Sequence, residues 1–486
     1  MSTHHPHAPG SSAATTGGRA PWWRRLDVVT RAVDPETRAV MRRRWDELPL
    51  VNRTANQIIG RNGVGCEGTH GVFPKCNLTC KPCYHSADAN KVRTDGQHTL
   101  REVRKQMAFF RTARGPRSHA QLIGGEVSLL EPDDHAAALL AMRAEGREPM
   151  SMTHGDFDYD YLVRLALDDE GKPRFDRLSF AGHFDSLMRG RRGVPRPRSE
   201  SDLDLDRRRF VEMFRRLKQE HGVDSFLAHN MTVTPANVDE VTHVARTALD
   251  AGFDLVSFQP AAFVGDDRRW EGDFREIGID DVWEHIEEAV GAPVPYTALQ
   301  FGDPRCNRTS WGAYVGPQWV PVLDPDDAED LAARDVFFAH LGGMRVTDQP
   351  TALSVVRVLR VLTSHPSTIV TGVAYARRFA RRAGGVRSVL RHGVRGTTFV
   401  VHAFMDADVV KPAWDLLEQN TWSDDPEIHA VQERLSSCVY AMAHPELGRT
   451  VPACVQHGVL DPQENVDLRR ELPLFSIDNL GLSKTA

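Results

Sequence analysis

Three cysteines fall within nine residues, Cys76-Asn77-Leu78-Thr79-Cys80-Lys81-Pro82-Cys83-Tyr84. This C-x3-C-x2-C spacing lets one loop wrap three thiolates around a small metal centre. Closely spaced cysteines of this kind hold iron–sulfur clusters, whose usual full set is four. Three protein ligands on a four-iron cluster leave one iron open, and an open metal position is where a substrate or cofactor binds. The same spacing also suits a structural zinc site, with His85 or His70 completing a Cys3His set. A packing role for three cysteines so close together is the weakest reading.

A second group is Gly124-Gly125-Glu126. The glycines let the backbone approach a ligand closely, and Glu126 adds a carboxylate acceptor. Alone the triplet is an ordinary tight turn; at the end of one strand, with the cysteine loop at the end of another, it becomes a partner to the cysteines. His154, His183 and His229 fall near the ends of three further strands. They suit a proton relay or a pocket lining, and equally a set of ordinary hydrogen-bonded histidines, because no spacing rule links them.

The 486 residues suffice for one large domain with additions, or for two to three smaller ones. Hydrophobic content of 41% and charged content of 26% are those of a globular protein in water. No apolar run is long enough to cross a membrane, and no basic segment followed by an apolar core marks a secretory signal. A net charge of −6 argues against nucleic acid as a partner. Seven cysteines, three of them clustered, point to a reducing compartment and metal or redox use. The expected location is cytoplasmic.

The elements that must position these groups alternate strand and helix from Gly71 onward, as parallel α/β folds do. A short strand precedes Cys76, and Thr99-Leu100-Arg101-Glu102 reads as a capping box opening a helix. Further strands are expected over His119 to Ile123, Pro149 to Thr153, Phe175 to Phe180, Ser225 to Val233 and Leu255 to Gln259. Asn237-Val238-Asp239-Glu240 offers another capping box. Six such units fall short of the eight of a full barrel. Ahead of them, residues 1–20 form a polar tail unable to bury a core, with His4, His5 and His7 able to take up metal adventitiously. Residues 21–70 form a lead-in whose helix opens at Asp34-Pro35.

Cys76, Cys80 and Cys83, followed by Gly124-Gly125-Glu126 at the end of the next strand, closely resemble the signature of the radical S-adenosylmethionine (SAM) enzymes. The resemblance covers about Gly71 to Val290. It implies a partial (βα)6 TIM-type barrel over 71–292, a catalytic [4Fe–4S] cluster on the three cysteines, and SAM chelated to the open iron. Reductive cleavage of SAM to a 5′-deoxyadenosyl radical is then implied, with a low-potential electron donor such as flavodoxin or ferredoxin. Gly124, Gly125 and Glu126 would help bind SAM, and Ser179, Asp185 and Arg189 would stand near its ribose and carboxylate. Val127 replaces the proline that usually follows the glutamate.

Residues 293–486 are expected to form a C-terminal α+β extension, with a hairpin over Trp311 to Leu323. Ser257-Phe258-Gln259-Pro260, the Cys306 segment, and Cys438 to Cys454 with Gly448-Arg449-Thr450-Val451-Pro452 resemble the branch containing the tetraether lipid synthases. That resemblance implies a hydrocarbon-chain substrate and an auxiliary iron–sulfur cluster on Cys306, Cys438 and Cys454. The branch's cysteine-rich N-terminal site is missing, since Cys66 is the only earlier cysteine. From Tyr375 to Val394, apolar residues at helical spacing alternate with Arg377, Arg378, Arg381, Arg382, Arg387 and Arg391. Such a helix lies on an anionic membrane surface or packs, solvated, on the barrel. A peptide-maturation enzyme and a non-enzymatic zinc protein are the alternative functions.

Overall fold

The computed structural model describes residues 27, 29–85, 87–344 and 351–471. The tail expected over 1–20 lies outside them. Thirteen strands are described in chain order: β1 (Cys66–Gly68), β2 (Thr79–Cys80), β3 (Ser118–Leu122), β4 (Arg147–Thr153), β5 (Arg177–His183), β6 (Met188–Arg189), β7 (Asp224–Val233), β8 (Leu255–Pro260), β9 (Asn307–Val315), β10 (Gln318–Pro321), β11 (Arg395–His402), β12 (Tyr440–His444) and β13 (Arg449–Pro452).

The fold is mixed α/β, built on one large sheet. Its parallel part runs in the order β12-β1-β3-β4-β5-β7-β8-β11. The expected six-unit run is β1, β3, β4, β5, β7 and β8. Two strands from the C-terminal part lengthen it, β11 beside β8 and β12 beside β1. β9 and β10 form the expected hairpin, and β9 pairs antiparallel onto β11. Residues 301–306 run between β12 and the start of β9. There Asn52 Nδ2 donates to Asp303 Oδ2 and Ser437 Oγ, and a Cβ on Gly302 would lie 2.4 Å from Val439 Cγ1.

Strand one lies earlier than expected. Pro74 has no N–H for a ladder, and the carbonyls of Val72, Phe73 and Lys75 are taken by Thr99 Oγ1, Gly125 N–H and Glu126 N–H. The strand is Cys66–Gly68, and Val72 to Lys75 becomes the shoulder on which the cysteine loop sits. Thr99 is thereby drawn inside its helix, Gly96–Arg114, whose cap is Asp95 accepting from His98 N–H. Likewise Asn237 Oδ1 accepts from Thr234 N–H in a turn preceding the helix Val241–Ala251, so no capping box forms there.

Strands of a parallel sheet are buried on both faces, and β7 follows this from Leu227 to Val233. The helix Asp204–His221 covers it with Phe210, Val211, Phe214 and Leu217. Phe180, Phe184, Phe210, Phe214 and Phe253 form one aromatic stack. Glu67 on β1 and Arg147 on β4 form an ion pair at 2.9 Å with both side chains fully buried.

Candidate active site

The cysteine loop follows β1 at the C-terminal edge of the parallel strands, the edge where barrels place their chemistry. It is fastened at four places. Asn90 Oδ1 accepts the Cys76 N–H at 3.1 Å. β2 carries Cys80 and pairs antiparallel with β6, so Cys80 stands opposite Met188. Gly125 and Glu126 donate their N–H groups to Phe73 and Lys75 carbonyls at 2.8 and 2.9 Å. Beyond Cys83, Arg269 Nη1 donates to the His85 carbonyl at 2.8 Å, and Asp266 Oδ2 accepts from Ala87 N–H at 2.7 Å.

The two glycines are required by close approach, and what approaches is the chain itself. A Cβ on Gly125 would lie 2.2 Å from the Lys75 carbonyl oxygen and 2.3 Å from that of Pro74. One on Gly124 would meet the Phe73 ring at 2.6 Å. On the side where a side chain would stand, the base of the cysteine loop fills the space.

The three thiols face one another. Cys80 and Cys83 share a hydrogen bond, which holds Cys80 well above the usual thiol range and Cys83 well below it. Arg269 and His85 lower Cys83 further. Burial pushes Cys76 up to about 12, with Glu126 and Cys83 adding to the rise. A bound cation reverses this, since a coordinating thiol is deprotonated outright. Among the described residues, only His70, His444 and Glu446 bring three ligand atoms within 4.8 Å of one another.

Glu126 is 1% exposed, and the protein occupies both its oxygens. Oε1 accepts from Ser128 N–H and Thr153 Oγ1 at 2.9 and 2.6 Å, and Oε2 from His154 N–H at 2.8 Å. His154 in turn reaches the cysteine loop, its Nε2 lying 2.8 Å from Asn77 Oδ1. Burial lowers its pKa. Arg191, which sequence reasoning missed, lies under this group. Its Nη2 donates to the carbonyls of His154 and His183, its guanidinium lies over Phe184, and its Nε is buried without a partner. Only its place two residues past Arg189 hinted at it.

Asp185 is 2% exposed and accepts from Leu187 N–H, Thr232 N–H and, at 2.7 Å, His183 Nε2. An Asp–His pair thus stands at the end of β5, with the histidine partly open. Arg189 lies on β6 opposite Thr79, exposed, and donates to Ser186 and Met188 carbonyls. Ser179 is the third residue of β5, in register with Phe226, away from the strand's C-terminal end. His229 is fully buried between Phe184 and Phe253, accepts from Arg207 Nε, and is pushed well down in pKa by burial. It belongs to the core and does not join a relay.

Of the histidines considered for a zinc set, His70 is engaged elsewhere and His85 stays beside Cys83. His70 Nε2 lies 2.8 Å from the Ala443 carbonyl and Nδ1 3.1 Å from Glu464 Oε2. The His85 ring meets His457 edge-on at 5.7 Å. Tyr84 packs its ring on Phe404, its hydroxyl buried without a partner.

Cys306, Cys438 and Cys454 come from three distant segments and lie within electrostatic reach of one another. Burial raises Cys306 to about 11 and Cys454 further, with Cys438 adding to both. Cys306 Sγ accepts from Arg434 Nε at 3.0 Å, Cys438 Sγ donates to the Tyr440 carbonyl, and Cys454 Sγ accepts from Met405 N–H.

The arginine-rich run forms the helices Ser367–Arg382 and Val386–His392, parted at Gly384-Gly385 as expected. Arg378 and Arg382 are committed to Asp330 at 2.8 and 2.7 Å. Arg377, Arg381, Arg387 and Arg391 are exposed, beside exposed Ile369, Val370, Val373, Val386 and Leu390. No helix among the described residues is long and apolar enough to cross a membrane. An apolar cavity of about 1330 Å³ is lined by Val33, Met41, Phe301, Phe338 and Tyr375, with Gly65 and Ser118 at the N-terminal ends of β1 and β3. It lies at the edge opposite the cysteine loop.

No family model matches the chain, and no curated protein matches it. Solved structures similar to parts of it include Streptococcus suis SuiB bound to precursor peptide SuiA, at 12% identity and TM-score 0.30, covering 51% of this chain and 47% of that one. Another is anSMEcpe with bound AdoMet and Cp18Cys peptide, at 12% identity and TM-score 0.32, covering 46% and 59%. A third is methylornithine synthase (PylB), at 14% identity and TM-score 0.27, covering 48% and 66%. The chain spans less than two thirds of each. Likenesses this weak decide nothing about function.

Proposed function

We propose that the chain is a radical SAM enzyme whose catalytic [4Fe–4S] cluster is held by Cys76, Cys80 and Cys83. The observation that carries this reading is the loop itself: three interacting thiols in a C-x3-C-x2-C spacing at the C-terminal edge of a parallel sheet. Such a cluster supplies the electron that cleaves SAM and so starts hydrogen abstraction from an unactivated C–H bond. The residues of the chain do the rest. β6, Asn90, Arg269 and the Gly124-Gly125 shoulder fix the loop. Glu126 and His154 brace it from β3 and β4. Asp185 holds the His183 imidazole at the rim of the site, where the other ring nitrogen can hold or pass a proton.

Two finer parts belong to the same proposal. Cys306, Cys438 and Cys454 would hold an auxiliary cluster, supported by the mutual reach of thiols from three segments. The substrate would be a hydrocarbon chain met at a membrane surface, supported by the exposed arginines and aliphatic residues of the helices Ser367–Arg382 and Val386–His392. The test is anaerobic reconstitution of the wild type and of Cys76→Ala/Cys80→Ala/Cys83→Ala, followed by iron analysis and 5′-deoxyadenosine quantification with SAM and dithionite. The variant should lose one cluster's worth of iron and all SAM cleavage. Undiminished 5′-deoxyadenosine from the triple variant would sink the assignment.

A further inference from the structure

A polar group outside the cysteine loop lies where β1, β12 and the helix Asp461–Glu471 meet. His70 follows β1, His444 ends β12, Glu446 is in the turn to β13, and Glu464 is on the helix. The two imidazoles stack with centroids 4.1 Å apart and planes 22° apart. His444 is 1% exposed in its side chain and His70 11%.

The hydrogen-bond network fixes where the ring protons are. His70 Nε2 faces the Ala443 carbonyl, which can only accept, so Nε2 carries the hydrogen. Gln456 Nε2 lies 2.9 Å from Asp461 Oδ1 and 2.8 Å from Glu464 Oε2, both acceptors. Gln456 Oε1 must therefore face His444 Nε2, which also carries its hydrogen. Both Nδ1 atoms are left pointing at carboxylates. His70 Nδ1 is 3.1 Å from Glu464 Oε2; His444 Nδ1 is 3.2 Å from Glu446 Oε1 and 3.7 Å from Glu464 Oε1.

Satisfying these contacts with protons alone needs two stacked imidazolium ions, whose like charges repel. A cation held by both Nδ1 atoms and a carboxylate removes that repulsion. We propose that His70, His444 and Glu446 form a binding site for one divalent cation of the zinc type. One ligand atom from each of the three lies within 4.8 Å of the other two. Ligand atoms of a tetrahedral ion with bonds of about 2.0–2.1 Å stand about 3.3–3.4 Å apart, and the contact of 3.2 Å between His444 Nδ1 and Glu446 Oε1 is close to that edge. The Ala443 carbonyl and the Gln456 amide orient the two imidazoles from behind, as partners of metal-bound histidines do. The three protein ligands tie the segment after β1 to the end of β12, with Glu464 of the last helix beside them. Lys105 Nζ, 3.0 Å from Glu446 Oε2, leaves the other oxygen of that carboxylate to the site.

The inference is independent of the function proposed for the cysteines, and its test separates the two. Full-length wild type, His70→Gln/His444→Gln and Glu446→Gln are purified without a metal column and titrated with zinc against a chromophoric chelator. The wild type should bind one more zinc than the double variant, and Glu446→Gln, altered at an exposed carboxylate that the fold tolerates, should bind it at least tenfold more weakly. With cobalt in place of zinc, the difference spectrum between wild type and the double variant should show d–d bands without thiolate-to-metal charge transfer. Equal zinc in all three proteins, or thiolate-to-cobalt charge transfer in that difference spectrum, would overturn the site.

Discussion

His154 Nε2 lies 2.8 Å from Asn77 Oδ1, so a side chain at the end of β4 holds the residue next to Cys76. Asp156 N–H donates to His154 Nδ1 at 3.0 Å, which places the ring hydrogen on Nε2 and makes His154 the donor. Asn77→Ala removes the acceptor from a buried N–H. A hydrogen bond of this kind is worth about 1 kcal/mol net, so iron release from the reconstituted protein to a chelator should speed up about fivefold. Release at the wild-type rate would show that the contact does not steady the loop.

Gly125→Ala places a methyl group 2.2 Å from the Lys75 carbonyl, so the base of the cysteine loop must move. The expected result is loss of iron together with loss of SAM binding. A variant keeping full iron and losing only SAM affinity would return the glycine to the ligand-facing role that its spacing suggested.

Acid should destabilise the protein earlier than its carboxylates alone would predict. Burial holds His135 down to about 3 and His402 to about 4, against an ordinary value of 6.5. A histidine lowered in the folded state binds its proton first in the unfolded chain. Its contribution is complete above pH 6.5 and shrinks as pH falls toward the folded value. Each such histidine adds about 1.4 kcal/mol per pH unit to the slope between those limits. Urea midpoints at pH 7, 6, 5 and 4 should therefore fall steadily, and His135→Gln should flatten the trend. A flat wild-type profile over this range would contradict it.

On the proposed membrane reading, vesicle binding rests on four arginines, because Arg378 and Arg382 are already paired with Asp330, and Arg378 also with Glu329. Changing Arg377, Arg381, Arg387 and Arg391 to Gln should weaken co-sedimentation with anionic vesicles, each charge near the surface being worth about 1 kcal/mol. Changing Arg378 should instead lower stability. No wild-type sedimentation at low salt would remove the membrane from the account.

The strand–helix alternation, the hairpin and the pairing of the cysteine loop with the Gly124-Gly125-Glu126 turn were legible because each rests on local pattern or short spacing. Strand one was misplaced because Val72 to Lys75 has strand-like residues but gives its carbonyls to Thr99, Gly125 and Glu126. What packs on the glycines was hidden for a related reason: sequence shows that something comes close, not what. Arg191, Arg269 and Asn90 were invisible because they act through backbone atoms far along the chain. His229 looked like a relay member until Phe184 and Phe253 enclosed it.

The pairing of β1 with β12 has a consequence for how the molecule is made. During synthesis β1 emerges early, and β3 can cover only one of its sides. Its other edge stays open until the ribosome has released Tyr440 to His444, and an unpaired edge strand invites association with other chains. The nascent polypeptide therefore carries an exposed hydrogen-bonding rim next to its three clustered thiols for most of translation. On the proposed cluster assignment, loading should follow the docking of the last strand, and truncated chains should fail to complete it.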